Sequence, residues 1–153
     1  MDKYTENKLL ESTKKHEGLK LKIYQDTLNV PTIGYGRNLK DRGVSEQEAH
    51  IMLLNDLRMA EEAALKHQWF NVLDNVRKTV VVEMIFNLGE AGFSKFKKTI
   101  KLIEEGKYKD AAIEMLDSRW SEQVGVRADT LAKRMALGFY EDSKSKHAKT
   151  SND

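Results

Sequence analysis

The chain is 153 residues long, 40% hydrophobic and 33% charged, with 26 basic against 24 acidic side chains and a net charge of +2. That composition fits a globular chain with one core, or a small lobe packed on a larger one, rather than a disordered or membrane protein. The near-neutral balance argues against a nucleic-acid partner, while a sequence pI of 8.7 suits an anionic polymer as substrate.

No apolar run approaches the roughly 18–20 residues needed to span a bilayer, so no stable membrane insertion is expected. The polar start, MDKYTENKLLEST, lacks the apolar centre of a secretory signal, which predicts a protein made and folded in the cytoplasm. The absence of cysteine excludes disulfides, thiolate catalysis and Cys-ligated zinc. His16, His50, His67 and His147 are scattered, without HExxH spacing, so neither a catalytic metal nor another cofactor is expected. No phosphate-binding loop is present either, since the GYG at 34–36 has neither the spacing nor the following helix.

In chain order, Thr5–Glu17 reads as a helix with Leu9, Leu10 and Thr13 as a narrow apolar stripe and Gly18 as its stop. From Leu19 the period changes to two. Leu19, Leu21 and Ile23 alternate with Lys20, Lys22 and Tyr24, the pattern of a half-buried strand. Asp26–Asn29 is a turn in which Asn29 can take a left-handed conformation, and Pro31–Tyr35 is the returning strand. Gly34, Gly36 and Gly43 imply tight bends into a short third strand or loop.

Everything after this β region is helical. Ser45 and Glu48 form a capping box opening a long helix with Met52, Leu53, Leu57, Ala60 and Ala64 on its apolar side. Trp69 and Phe70 mark its end or the next turn. Asp74 caps Asn75–Leu88, which is apolar on nearly every side and therefore predicted to be buried, with Gly89 ending it. Helices follow over Phe93–Glu105, Lys107–Ser118 and about Val126–Tyr140, and residues 141–153 form a polar tail with no apolar face. The fold class is α+β, mostly α, with a small N-terminal β-hairpin lobe and a larger C-terminal helical lobe joined by a long helix.

Taken singly, the chemistry-bearing residues of the β region are ordinary. Glu17 is a glutamate at a helix end, Asp26 an aspartate in a turn, and Thr32 a threonine in a strand. Together they place two carboxylates on separate stiff elements, which hydrolysis of a glycosidic bond requires. The negative end of the helix also disfavours an ionised Glu17 and so suits it to delivering a proton.

Their spacing resembles that of the phage lysozyme family, the endolysin-type muramidases of glycoside hydrolase family 24. The family motif is Glu-Gly, an aspartate nine residues after the Glu, and a threonine six further on inside T-I-G-x-G. Here it reads Glu17-Gly18, Asp26 and Thr32-Ile33-Gly34-Tyr35-Gly36. Met84–Glu90 resembles the family's M-V-F-Q-M-G-E segment lining the saccharide cleft, which implies sugar contacts for Phe86 and Asn87. Thr99 stands in the place of a substrate-contacting serine. Ser118-Arg119-Trp120 matches S-R-W, and Gln123 with Arg127-Ala128 matches Q-x-x-x-R-A. Arg127 is thereby the counterpart of an arginine that pairs with the catalytic glutamate across the lobes. The chain departs from the family at Arg37, where histidine is usual, and at Asn29, where glycine is usual; Asn38 and Glu114 also differ from some relatives.

The resemblance covers roughly residues 5–140. It implies one lysozyme-like catalytic domain over 1–140, with a β lobe at about 18–44 and a helical lobe at about 66–140 that includes the N-terminal helix. The implied activity is hydrolysis of the β-1,4 bond between N-acetylmuramic acid and N-acetylglucosamine in bacterial peptidoglycan. Glu17 would be the general acid, and Asp26 with Thr32 would hold the attacking water. Family members invert, which implies carboxyl groups about 6.5–9.5 Å apart. The implied protein is a monomer that waits in the host cytoplasm and reaches the periplasm and wall through a lesion made by a separate membrane-permeabilising protein. Two other readings share the motif region: a non-catalytic peptidoglycan-binding or structural phage component, and a lytic transglycosylase, against which Asp26 and Thr32 argue.

Overall fold

In a computed structural model, which describes residues 1–140, the chain divides into two units, Met1–Met52 and Leu53 onward. The tail expected over 141–153 lies outside the described residues.

The first unit begins with α1 (Lys3–Glu17), which starts two residues before the expected Thr5 because Asp2 caps it, accepting from Thr5 N at 2.8 Å. Gly18 ends it at φ 72°. Strands β1 (Lys20–Gln25), β2 (Pro31–Gly34) and β3 (Arg37–Asn38) form an antiparallel sheet in that order. The register pairs Tyr24 with Thr32 and Ile33 with Arg37. Asn29 adopts φ 58°, the left-handed conformation expected of the β1–β2 turn. The third segment after the glycines is a strand, short as it is. One expectation fails: β1 forms, but its apolar side is not half-buried, with Leu21 79% and Ile23 62% exposed. Strand β2 pairs with β1 edge to edge and leaves that face of the sheet uncovered.

Helix α2 (Glu46–Leu65) opens with the expected capping box: Ser45 Oγ accepts from Glu48 N at 3.1 Å, and Glu48 Oε2 accepts from Ser45 N at 2.7 Å. The division of the chain falls within this helix, after Met52.

The second unit contains the rest of α2, then α3 (Gln68–Asn71), α4 (Asn75–Ser94), α5 (Lys97–Glu104), α6 (Tyr108–Leu116), α7 (Arg119–Val124) and α8 (Val126–Leu137). Helix α4, predicted to be buried from its all-round apolar character, buries one face only: Val80, Val81, Met84 and Ile85 are buried, while Asn75, Thr79, Phe86 and Asn87 on its other side are exposed. Gly89 breaks α4 (φ 74°, ψ 164°), and a final turn continues to Ser94. The helix expected over Phe93–Glu105 is therefore two pieces. Phe93 closes α4, while Phe96, itself non-helical (φ −77°, ψ 50°), precedes α5. Helix α7 was not expected; Ser118 caps it by accepting from Ser121 N at 3.1 Å.

Helix α6 packs on α5 and α8, and α8 packs also on α4 and α7. Arg77, at the start of α4, fastens the end of α8 by donating from Nε to Met135 O (2.7 Å) and from Nη2 to Ala136 O (3.0 Å). Its guanidinium lies 3.9 Å from the Tyr108 ring centre.

Candidate active site

The carboxylate of Glu17 leaves α1 at its last residue and lies against the backbone of Gly36 in the β2–β3 turn. A Cβ added at Gly36 would stand 2.7 Å from Glu17 Oε2 and 3.3 Å from its Cδ. Gly36 also has φ 76°, so both the bend and the approach to Glu17 require glycine here. The first and last residues of the 17–36 stretch thus meet in space.

Asp26 and Thr32 converge on a single residue between them. Asp26 Oδ1 accepts from Leu28 N at 2.8 Å and from Val30 N at 2.9 Å, while Thr32 Oγ1 donates to Val30 O at 2.8 Å. The Asp26 backbone N–H donates to Val30 O as well, at 3.0 Å. Thr32 is buried, at 3% exposure, and Asp26 is partly buried. Two backbone donors fix the aspartate in a preset rotamer. Because Thr32 spends its hydroxyl hydrogen on Val30 O, its oxygen is left to accept, and so is Oδ2 of Asp26.

Arg37 follows Gly36 and is engaged on three sides. Its Nη1 donates to Gly43 O (3.1 Å) and Glu48 Oε2 (2.7 Å), and its Nη2 donates to Glu48 Oε1. The Arg37 hydrogen bonds, reinforced by Ser45 N–H, hold the Glu48 carboxyl well below the ordinary range, at about 2.

In the second unit, Phe86 and Arg127 line one groove of about 710 Å³ with a floor of Leu57, Phe70 and Val82. The Arg127 guanidinium stands 6.0 Å from the Phe86 ring centre, and its Nε donates to Glu83 Oε1 at 3.1 Å. Glu83, one helical turn before Phe86, was not singled out from sequence; the i, i+3 spacing from Phe86 was the available signal. Asn87 faces elsewhere, accepting at Oδ1 from Trp120 Nε1 at 2.7 Å, which ties it to the S-R-W segment. Thr99 is separate again. It is 3% exposed, at a hollow of about 250 Å³ edged by Lys95, Lys98, Glu114 and Ser118. The described residues hold no group of three or more His, Cys, Asp or Glu side chains placed to bind a metal ion.

Comparison with known proteins converges on one family. The family described as phage lysozyme matches residues 14–136. Over 89% of this chain and 98% of its own length, a probable T4-type lysozyme 2 of Dictyostelium discoideum is 29% identical. An endolysin of Acyrthosiphon pisum secondary endosymbiont phage 1 is 29% identical over 71% of this chain and 74% of its own length. The pre-baseplate central spike protein Gp5 of Enterobacteria phage T4 is 23% identical over 87% of this chain, which corresponds to 28% of that protein.

Proposed function

Since the chain belongs to the phage lysozyme family, a family of glycoside hydrolases, we propose that it cleaves the β-1,4 bond between N-acetylmuramic acid and N-acetylglucosamine with inversion, using Glu17, Asp26 and Thr32. The coarser activity, that of a muramidase-type peptidoglycan hydrolase, follows from the family. What carries the finer reading is the convergence of Asp26 and Thr32 on Val30, which leaves two acceptors of fixed direction in the motif that also carries Glu17.

In this reading Glu17 gives its proton to the glycosidic oxygen as the bond from C1 breaks and positive charge develops on the sugar ring. A water held by Oδ2 of Asp26 and Oγ1 of Thr32 must point its hydrogens at those two acceptors, which turns a lone pair toward C1. Attack on the face opposite the departing oxygen inverts C1, and the water's proton passes to Asp26. Saccharide contacts come from Phe86, through its exposed ring; from Asn87, whose Nδ2 donors lie opposite the end held by Trp120; and from Thr99. Arg127 is the cation of the groove in the second unit, held by Glu83 and set beside Phe86. Residues 1–140 act as one catalytic domain and as a monomer.

Among the described residues no helix is long and apolar enough to cross a membrane. We place the protein in the host cytoplasm until a separate membrane-permeabilising protein lets it reach the wall.

Digestion of purified peptidoglycan, with the fragments read by mass spectrometry and the new anomeric centre by NMR, tests the proposal. Wild type is expected to release reducing N-acetylmuramic acid ends in inverted configuration, and Glu17→Gln none. Retained configuration would remove the water-holding role of Asp26. An anhydro product would make the enzyme a lytic transglycosylase instead.

A second reading is favoured by the similarity to the central spike protein: the chain serves as a wall-cutting component of a phage particle. Co-purification with particles rather than release at lysis would support that reading.

A further inference from the structure

Arg37 is one of the residues at which this chain parts from its family's motif, and its surroundings give it a task. The carboxylate of Glu17 rests against the backbone of Gly36, so whatever fixes residue 36 also fixes one wall of the proton donor's site. The strand that follows the turn is short: β3 is only two residues long, and the turn before it has Gly34 and Gly36 at φ 70° and 76°. Ladder pairing of Ile33 with Arg37 and of Thr32 with Asn38 fixes the sheet side. On the other side the chain leaves β3 through a turn at residues 39–42, held by Leu39 N donating to Pro31 O (2.9 Å), Gly43 N to Asn38 O (3.2 Å) and Asp41 N to Asn38 Oδ1 (2.9 Å), and none of these bonds reaches α2.

The Arg37 side chain closes that side. Its guanidinium reaches Gly43 O, just past that turn, and the start of α2 through both oxygens of Glu48. Glu48 is in turn anchored by Ser45 N–H, at a helix N-terminus where negative charge is favoured. The turn that touches Glu17 is thus bolted, one residue on, to the first turn of a 20-residue helix. A two-pronged fork on a carboxylate plus a third bond to a carbonyl uses the planar geometry of arginine; a lysine ammonium is a point charge and cannot reproduce it.

We propose that Arg37, clamped between Glu48 and Gly43 O, is a positioning residue that holds the Gly34–Gly36 turn against the Glu17 carboxylate and so sets the aim of the proton donor. This rests on the reading of Glu17 as general acid. The pair is partly solvated, with side chains 24% and 40% exposed, and such pairs contribute little to global stability. Its loss therefore shows in the chemical step and in local opening of the turn.

The test compares wild type, Arg37→Ala, Arg37→Lys, Glu48→Gln and the exchanged pair Arg37→Glu/Glu48→Arg. Three quantities are read: kcat and KM on soluble peptidoglycan fragments, the melting temperature, and amide hydrogen exchange at Leu39 and Gly43, whose N–H groups donate to Pro31 O (2.9 Å) and Asn38 O (3.2 Å). Arg37→Ala is expected to lower kcat about tenfold or more, the scale on which small misplacement of a reacting group acts, with KM within about twofold. Its melting temperature should hardly move, while exchange at Leu39 and Gly43 accelerates. Arg37→Lys should resemble the alanine variant, Glu48→Gln should fall between, and the exchanged pair should recover part of kcat and of the protection. Full kcat in Arg37→Ala, full rescue by lysine, or unchanged amide exchange would each overturn the proposal. Should wild type fail to cut the glycan while Glu17→Gln behaves identically, the muramidase reading of the site falls. The exchange data still decide whether Arg37 holds the turn.

Discussion

The two units of this molecule keep their functional side chains in place by different means. In residues 1–52, Thr32 is the one buried residue among those described, and the motif side chains are fixed by backbone hydrogen bonds, a close glycine contact and an arginine fork. From residue 53 on, Phe86, Glu83 and Arg127 ride on helices whose other faces are packed around Val80, Val81, Met84, Leu131 and Met135, all buried at 1% exposure or less. Hydrogen bonds are directional but contribute only about 1 kcal/mol each, whereas packing is non-directional and collectively large. The first region is therefore specialised for angular precision, and the second for stability. Substitutions in the first should cost activity without unfolding the protein; in the second they should cost stability, with the folded fraction still active.

The sharpest test of that contrast is Glu17→Gln, which keeps shape and deletes the proton. Activity is expected to fall by about 10³-fold, within the span general acids contribute, with an unchanged melting curve. Met84→Ala is the mirror case. It empties a fully buried position in α4 and should lower unfolding free energy by about 3 kcal/mol in denaturant titration, while kcat per folded molecule stays near wild type. Gly36→Ala should come next, with activity down about 10²-fold, because the new methyl group strikes the Glu17 carboxylate. The left-handed backbone there adds about 1–2 kcal/mol of destabilisation, so this variant is the one in which the two kinds of effect mix.

The smallest effect is on acid stability. Glu48 titrates in the folded protein at about 2, below its ordinary 4.5, so its contribution is fully present above pH 4.5 and is lost as pH falls from there through 2. Wild type should lose thermal stability more steeply across that window than Glu48→Gln, and the two should run parallel above it. Parallel curves throughout would show that the Arg37 fork does not restrain Glu48.

Much of this was legible in the sequence because the signals were local. The capping box at Ser45, the turn at Asn29, the cap at Asp74 and the buried residues of α4 each follow from residues within a few positions of one another. The motif spacing from Glu17 to Gly36 was equally plain. What escaped was short or distant. Helix α7 has six residues, too few for a period to show, although Ser118 was a serviceable cap signal. The break between Phe93 and Lys97 falls at Ser94-Lys95, between two phenylalanines at helical spacing and with neither proline nor glycine between them to mark it. Glu48 read only as a capping residue, and nothing in a linear pattern joins it to an arginine 11 positions away. The bond from Trp120 to Asn87 spans 33 positions and is likewise a product of the tertiary fold.

The fastening of α8 by Arg77 bears on how the chain is made. Each bond described for the Glu17–Glu48 site joins residues among the first 52, so that site can form while synthesis of the remainder continues. Arg77 must wait for Met135 and Ala136, the acceptors 58 and 59 positions downstream, to leave the ribosome. The helical region therefore closes only after residue 136 has emerged. At about 5–20 residues per second, those positions take several seconds to be synthesised, during which the apolar side chains of α4 stand exposed to chaperones. The hydrogen-bonded region comes first and the packed region after it.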